Sequence, residues 1–230
     1  MPIGFWDENG PWVDANTQRF RKALCTNEEE DDNSWSAPNL DVRAICHLDM
    51  QGYLRGPALK SQGASIYVVF DTSGSMGGNH MEDGCAIMAI FNALARQRII
   101  DFHFVATGYT RKKGEQHNCW YNKGVPLEDW CWESIDAWHG TEGISQSMTL
   151  TKPALLKADL AFAYTDACIC DVDLKPSLWR DSGKTVTGLY SGNEAQEKHM
   201  ARYFDDVIAR RNKEELAEAV LHLIRAKQKG

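Results

Sequence analysis

The chain has 230 residues and a formal net charge of −7, a length that suits one well-buried α/β domain with an extension and is short for two large domains. The acidic balance argues against nucleic acid or an anionic membrane as the main partner. No run of 18 apolar residues occurs, so no membrane span is expected.

In chain order, residues 1–60 form a mixed N-terminal extension, in which Phe5, Trp6, Trp12, Val13 and Phe20 are apolar enough to pack on the following domain. Met1 to Asp7 lacks the basic start and apolar run of a signal peptide. Seven cysteines without framework spacing fit reduced thiols in a cytoplasmic compartment better than disulfides. Glu28 to Asn33 is a block of like charge, read as a solvated loop, and Val42 to Leu48 suits a short strand or helix. Gly52, Gly56, Pro57 and Gly63 lead into the main domain, residues 61–230.

Ile66 to Phe70 is a short β-branched and aromatic run bounded by turn residues, the pattern of a strand buried on both faces in a parallel sheet. Asn79 with Glu82 predicts a capping box opening a helix to about Arg98, with Met81, Cys85, Met88, Phe91 and Leu94 on one face. Phe102 to Thr107 is the next strand, and a short edge strand is expected near Cys119 to Tyr121. Leu127 to Ala137 reads as a helix, and Ile144 to Leu156 as a helix that Pro153 kinks or restarts. Leu160 to Thr165 is a second buried strand, and Thr185 to Tyr190 a further one. A helix carrying Met200, Phe204, Val207 and Ile208 is predicted next, then another opened by Asn212 and Glu215. Strands alternating with helices predict a mostly parallel sheet covered on both faces.

The central loop is Asp71-Thr72-Ser73-Gly74-Ser75-Met76. In a loop leaving a strand, alternate residues can turn to one point, so Asp71, Ser73 and Ser75 would bring one carboxylate and two hydroxyls together. An all-oxygen set suits a hard divalent cation, Mg²⁺ or Mn²⁺, and not zinc. Three protein oxygens leave an octahedron incomplete. Thr141, in the turn Gly140 to Gly143, and Asp166, after the second buried strand, are candidates from the other loops on the carboxyl edge, where open α/β sheets bind ligands. A remaining free position would suit a partner's carboxylate.

This loop resembles the D-x-S-G-S-M signature of von Willebrand factor type A domains, and the resemblance covers roughly residues 60–226. It implies a Rossmann-like, doubly wound, mostly parallel sheet flanked by helices. It also implies a metal-ion-dependent adhesion site made of Asp71, Ser73, Ser75, Thr141 and Asp166. Tyr164-Thr165-Asp166-Ala167 is similar to the family's strand ending in (T/S)-D-G, with Ala167 where glycine is usual. The chain looks more like the intracellular branch, whose members work with AAA+ ATPases of the MoxR type. The resemblance therefore implies a non-catalytic adaptor that binds an acidic residue of the ATPase or its client through the cation. The alternative is an accessory subunit of a cobalt or magnesium chelatase, which Thr107 to Thr110 loosely resembles.

Other readings compete. His117, Cys119, Cys131, His139, Cys168 and Cys170 invite a zinc site, but their spacings match no standard finger. Trp120, Trp130, Trp132 and Trp138 crowd one stretch; Trp132 and Trp138 are candidates for a partner-facing patch, with core packing as the plain alternative. An aspartic-protease or phosphatase-like hydrolase is a further alternative. Ser73, however, interrupts the D-T-G triplet and stands where a phosphatase would need a second aspartate. No Walker A sequence occurs.

Overall fold

The computed structural model describes residues 4–25, 64–107, 119–135 and 143–228. Helix α1 (Phe5–Leu24) is followed by β1 (Ala64–Phe70), a single 3₁₀ turn (Gly74–Met76) and α2 (Asn79–Arg96). Then come β2 (Ile100–Ala106), β3 (Trp120–Tyr121), α3 (Asp129–Ser134), α4 (Ile144–Leu150), α5 (Lys152–Lys157) and β4 (Leu160–Tyr164). The chain continues with α6 (Ser177–Arg180), β5 (Thr187–Ser191), α7 (Glu197–Met200), β6 (Asp206–Arg210) and α8 (Lys213–Gln228). The sheet order is β3-β2-β1-β4-β5-β6, parallel except for β3. It is an α/β protein with a mostly parallel sheet and helices on both faces, compatible with a Rossmann-like fold.

The period-2 alternation of β1 divides the core. Ile66, Val68 and Phe70 pack with residues of α1, α2 and α8, while Tyr67 and Val69 pack with residues of α4, α5 and Trp179 of α6. Every residue from Ile66 to Phe70 is buried, as a strand in the middle of a two-faced parallel sheet requires. Gly84 is the close-approach point of α2. A Cβ there would stand 2.3 Å from Cε1 of Tyr164 and 2.7 Å from Cε2 of Phe70, the stacked ring pair beneath the helix.

Helix α1 belongs to the same apolar cluster, through Phe5, Val13, Phe20 and Leu24. The buried Asn9 side chain donates to Glu82 of α2 at 3.0 Å and accepts from Lys213 of α8 at 2.6 Å. Glu82 therefore does not close the expected capping box. Gly78, at φ 72°, holds the N-cap position and Asn79 is already helical. The acidic run 28–33 and Val42 to Leu48 lie outside the described residues.

Two further expectations are corrected. Met200, Phe204, Val207 and Ile208 do not share a helix: α7 ends at Met200, and Val207 and Ile208 lie in β6. Their spacing is helical by accident, and the short β-branched run gains more by pairing with β5 in parallel. Trp132 offers no surface to a partner. It is fully buried, edge-on against Phe104 with ring centroids 5.4 Å apart, because α3 carries it into the core beside β2. Trp138 lies outside the described residues. Elsewhere the elements fall close to expectation, with Pro153 starting α5 after the break at Thr151.

Candidate metal centre

Parallel register brings the site together. Phe70 lies level with Ala106 on one side and with Tyr164 on the other, so the residues that follow, Asp71, Thr107 and Thr165, leave the sheet side by side. The ladder runs one residue beyond the strands: the Asp71 N–H donates to the Tyr164 carbonyl and the Thr107 N–H to the Phe70 carbonyl, both at 2.9 Å. β1 connects onward to β2 on one side, and its other neighbour is β4. Asp71 and Thr165 thus flank the point where the strand order reverses, the crevice that open α/β sheets use for ligands.

Asp71 has no exposure to solvent. Its Oδ1 accepts the Ser73 N–H at 2.8 Å and its Oδ2 accepts the Thr165 hydroxyl at 2.9 Å. The Ser73 and Ser75 hydroxyls stand 3.1 Å apart. Ser73 is buried and Ser75 is exposed, so the cluster opens to solvent at Ser75. Met76, wholly buried, anchors the 3₁₀ turn from below, and its N–H donates to the Ser73 carbonyl.

Asp166 follows Thr165 and is buried at the same edge. Its Oδ1 accepts the Cys168 N–H at 2.9 Å, across a tight turn at Ala167. Ala167 has φ 67°, a left-handed conformation that glycine adopts freely and alanine only at a cost of about 1 kcal/mol. Asp171 ties down the rest of this loop. Its carboxylate accepts the Ser145 N–H at 2.8 Å and the Ser145 hydroxyl at 2.9 Å, in the first turn of α4. Thr141 lies outside the described residues, two positions before Gly143.

Burial pushes the Asp71 carboxyl up to about 6, and the nearby Asp166 charge adds to the rise. The Ser73 N–H, the Ser73 hydroxyl and the Thr165 hydroxyl work against it without prevailing. Among the described residues no cationic side chain pairs with Asp71. The carboxylate is held in place by these hydrogen bonds yet not neutralised. Two carboxylates and two hydroxyls at one edge form the donor chemistry of a hard divalent cation, whose charge would offset the burial of Asp71. These residues fit such an ion.

Among the described residues no group of three or more His, Cys, Asp or Glu side chains gathers; His117 and His139 lie outside them.

Three residues of the site escaped sequence reasoning. Thr165 holds the Asp71 carboxylate; its signal was its place just before Asp166 at a strand end. Thr107 accepts the Thr72 N–H at 3.3 Å through its hydroxyl, and it is level with Asp71 only once β1 and β2 pair. Asp171 meets Ser145 across 26 positions with no local signal at all. Beneath the loop, the Tyr164 hydroxyl donates to the His80 carbonyl at 2.7 Å and lies 2.9 Å from the Ser191 hydroxyl, linking the start of α2 to the end of β5. The chain matches no family model and no curated protein.

Proposed function

We infer that the carboxyl edge of β1 and β4 holds a divalent cation, Mg²⁺ or Mn²⁺, and that the protein is a binding module that uses this ion to recognise a carboxylate of a protein partner. The observation that carries the reading is Asp71: a wholly buried carboxyl, pushed up to about 6, beside the hydroxyls of Ser73 and Ser75, without a cationic partner among the described residues. Asp71, Ser73, Ser75 and Asp166 would hold the ion, and Thr141 is proposed as a further ligand. The ion supplies an electrophilic position that an acidic side chain can occupy. Thr165 orients Asp71, and the Asp171 tie to Ser145 keeps the Asp166 loop against α4.

The von Willebrand factor type A resemblance supports the same reading. The left-handed φ of Ala167 is the conformation expected where that family has glycine. Work beside a MoxR-type AAA+ ATPase, with the carboxylate coming from the ATPase or its client, rests on the resemblance.

The test is a calorimetric titration of the chelator-treated chain with MnCl₂, repeated on Asp71→Asn and Ser73→Ala. The expected result is one bound ion, with affinity at least about tenfold weaker in each variant. Absence of binding to the native chain, or equal binding by all three proteins, refutes the proposal.

A further inference from the structure

The two edges of the sheet differ. At one, β3 contributes only Trp120 and Tyr121, too short to template another strand. At the other, β6 runs from Asp206 to Arg210, and among the described residues no strand pairs with its outer side. Such an edge presents unpaired N–H and C=O groups to which the strand of another chain can add.

Backbone parity determines which groups of β6 face outward. The Thr165 N–H donates to the Leu189 carbonyl, so Leu189 turns its backbone towards β4, and its neighbours Gly188 and Tyr190 turn theirs towards β6. The Gly192 N–H donates to the Arg210 carbonyl at 2.5 Å, so Arg210 faces β5. By alternation Asp206 and Ile208 do the same, which leaves the N–H and C=O groups of Val207 and Ala209 on the open edge.

The side chains alternate too. Val207 and Ala209 pack on the α4–α6 face, while Ile208 packs with the α1, α2 and α8 cluster. Asp206, Ile208 and Arg210 therefore share the α8 face. There Ile208 and Arg210 line an open groove of about 740 Å³ with Ala219, His222 and Leu223 of α8. Ile208 and Leu223 remain only partly buried.

The strand Asp206-Val207-Ile208-Ala209-Arg210 is complementary to itself in one antiparallel register, centred on Ile208. Val207 then faces Ala209 of the second copy and the reverse, so the outward backbone groups form four N–H···O=C bonds. Ile208 meets its own copy over the groove, and each Asp206 stands opposite an Arg210. Shifting the register to pair Val207 with Val207, or Ala209 with Ala209, loses two of the four bonds and both charge pairs. In the single chain the Arg210 guanidinium donates to the outward Ala209 carbonyl at 2.6 Å, covering an acceptor that the second strand would take over. We propose that β6 is a homodimer interface, with two copies joined by antiparallel β6–β6 pairing about a two-fold axis at Ile208 into one continuous sheet.

The test measures self-association of the full chain by analytical ultracentrifugation over a concentration series, with circular dichroism confirming that each variant is folded. The native chain is expected to dimerise. Asp206→Arg and Arg210→Asp each set like charges opposite one another twice per dimer, and should raise the dissociation constant by about tenfold. The double variant Asp206→Arg with Arg210→Asp restores both pairs and should recover the native constant. A native chain that stays monomeric throughout overturns the proposal. So does a dimer indifferent to the single reversals, or one that the double reversal fails to rescue.

Discussion

Asp71 and Asp205 are both largely buried carboxylates at strand ends, and the fold treats them in opposite ways. Asp205 sits at the amino edge, just before β6. It accepts the indole N–H of the buried Trp179 at 2.5 Å, the Val186 N–H at 2.7 Å and the Arg180 guanidinium. Burial alone would raise its carboxyl, but the Val186, Arg180 and Trp179 bonds together hold it below the ordinary carboxylate range. Asp71 sits at the carboxyl edge with only neutral donors, no cationic partner among the described residues, and a carboxyl pushed up to about 6. One charge is consumed by the protein's own structure. The other is positioned and left over, which is what a binding group needs and a purely structural one does not.

The largest effect is expected where the charge is consumed. Asp205→Ala strands the Trp179 indole, the Val186 N–H and the Arg180 guanidinium around a small cavity, and should cost about 3 kcal/mol in urea unfolding at neutral pH. The sign with pH follows from the lowered carboxyl. Its contribution is full above the ordinary aspartate value of about 3.9 and fades as pH falls through the folded value. The deficit of the variant should therefore shrink in acid, while Mn²⁺ binding at the far edge stays native. Loss of Mn²⁺ binding in a folded Asp205→Ala protein would erase the contrast between the two ends.

Asp71→Asn should act in the opposite direction. The Asn oxygen can still accept the Ser73 N–H, and its amide can donate to the Thr165 hydroxyl, so the polar geometry survives without the charge. In the native protein the folded state binds the Asp71 proton more tightly than the unfolded chain does. Stability is therefore lost as pH rises between about 4 and 6 and stays lower above that window. Removing the charge should raise metal-free stability at pH 7 to 8 by an amount on the order of 2 kcal/mol, with little change near pH 4. Thermal melts in chelator across that pH range measure it. A variant less stable than native at pH 8 would mean that Asp71 is a structural group like Asp205.

How far the residues announced this arrangement depends on whether the determinant was local. Ile66 to Phe70, the loop after it and Asp166 were legible because a buried strand and its exit turn carry their own composition. Val207 and Ile208 were misread because a helical spacing across two separate elements looks the same as one across a single helix. For Trp132 the crowding of four tryptophans leaves a partner-facing patch and plain core packing both open. Only the tertiary placement of α3, which turns the ring onto Phe104, decides for the core. Asp205 drew no notice: nothing near it in sequence says that Trp179, 26 positions earlier, will deliver an indole N–H to it. Satisfied charges are made by tertiary contacts. Asp71 shows in the sequence through its own exit loop, where Ser73 is its neighbour both in sequence and in space. Thr165, 94 positions on, reaches it only through the pairing of β1 with β4.

The smallest predicted effect separates holding Asp71 from neutralising it. Thr165→Val keeps the shape of the side chain and removes the hydroxyl that donates to Asp71 Oδ2. Two costs follow, and they differ in their pH dependence. The Ala167 N–H loses a weak acceptor at 3.3 Å, a small loss at every pH. The ionised Asp71 loses a charge-assisted bond, which should lift its carboxyl above about 6 and cost about 1 kcal/mol more, but only where Asp71 is ionised. Metal-free melts should therefore show Thr165→Val close to native near pH 4 and clearly less stable at pH 8. In the Asp71→Asn background the pH-dependent part should vanish, since no carboxylate remains to lose the bond. An equal loss at both pH values, or one that persists undiminished in the double variant, would place Thr165 among the residues that shape the Ala167 turn and remove it from those that act on the Asp71 charge.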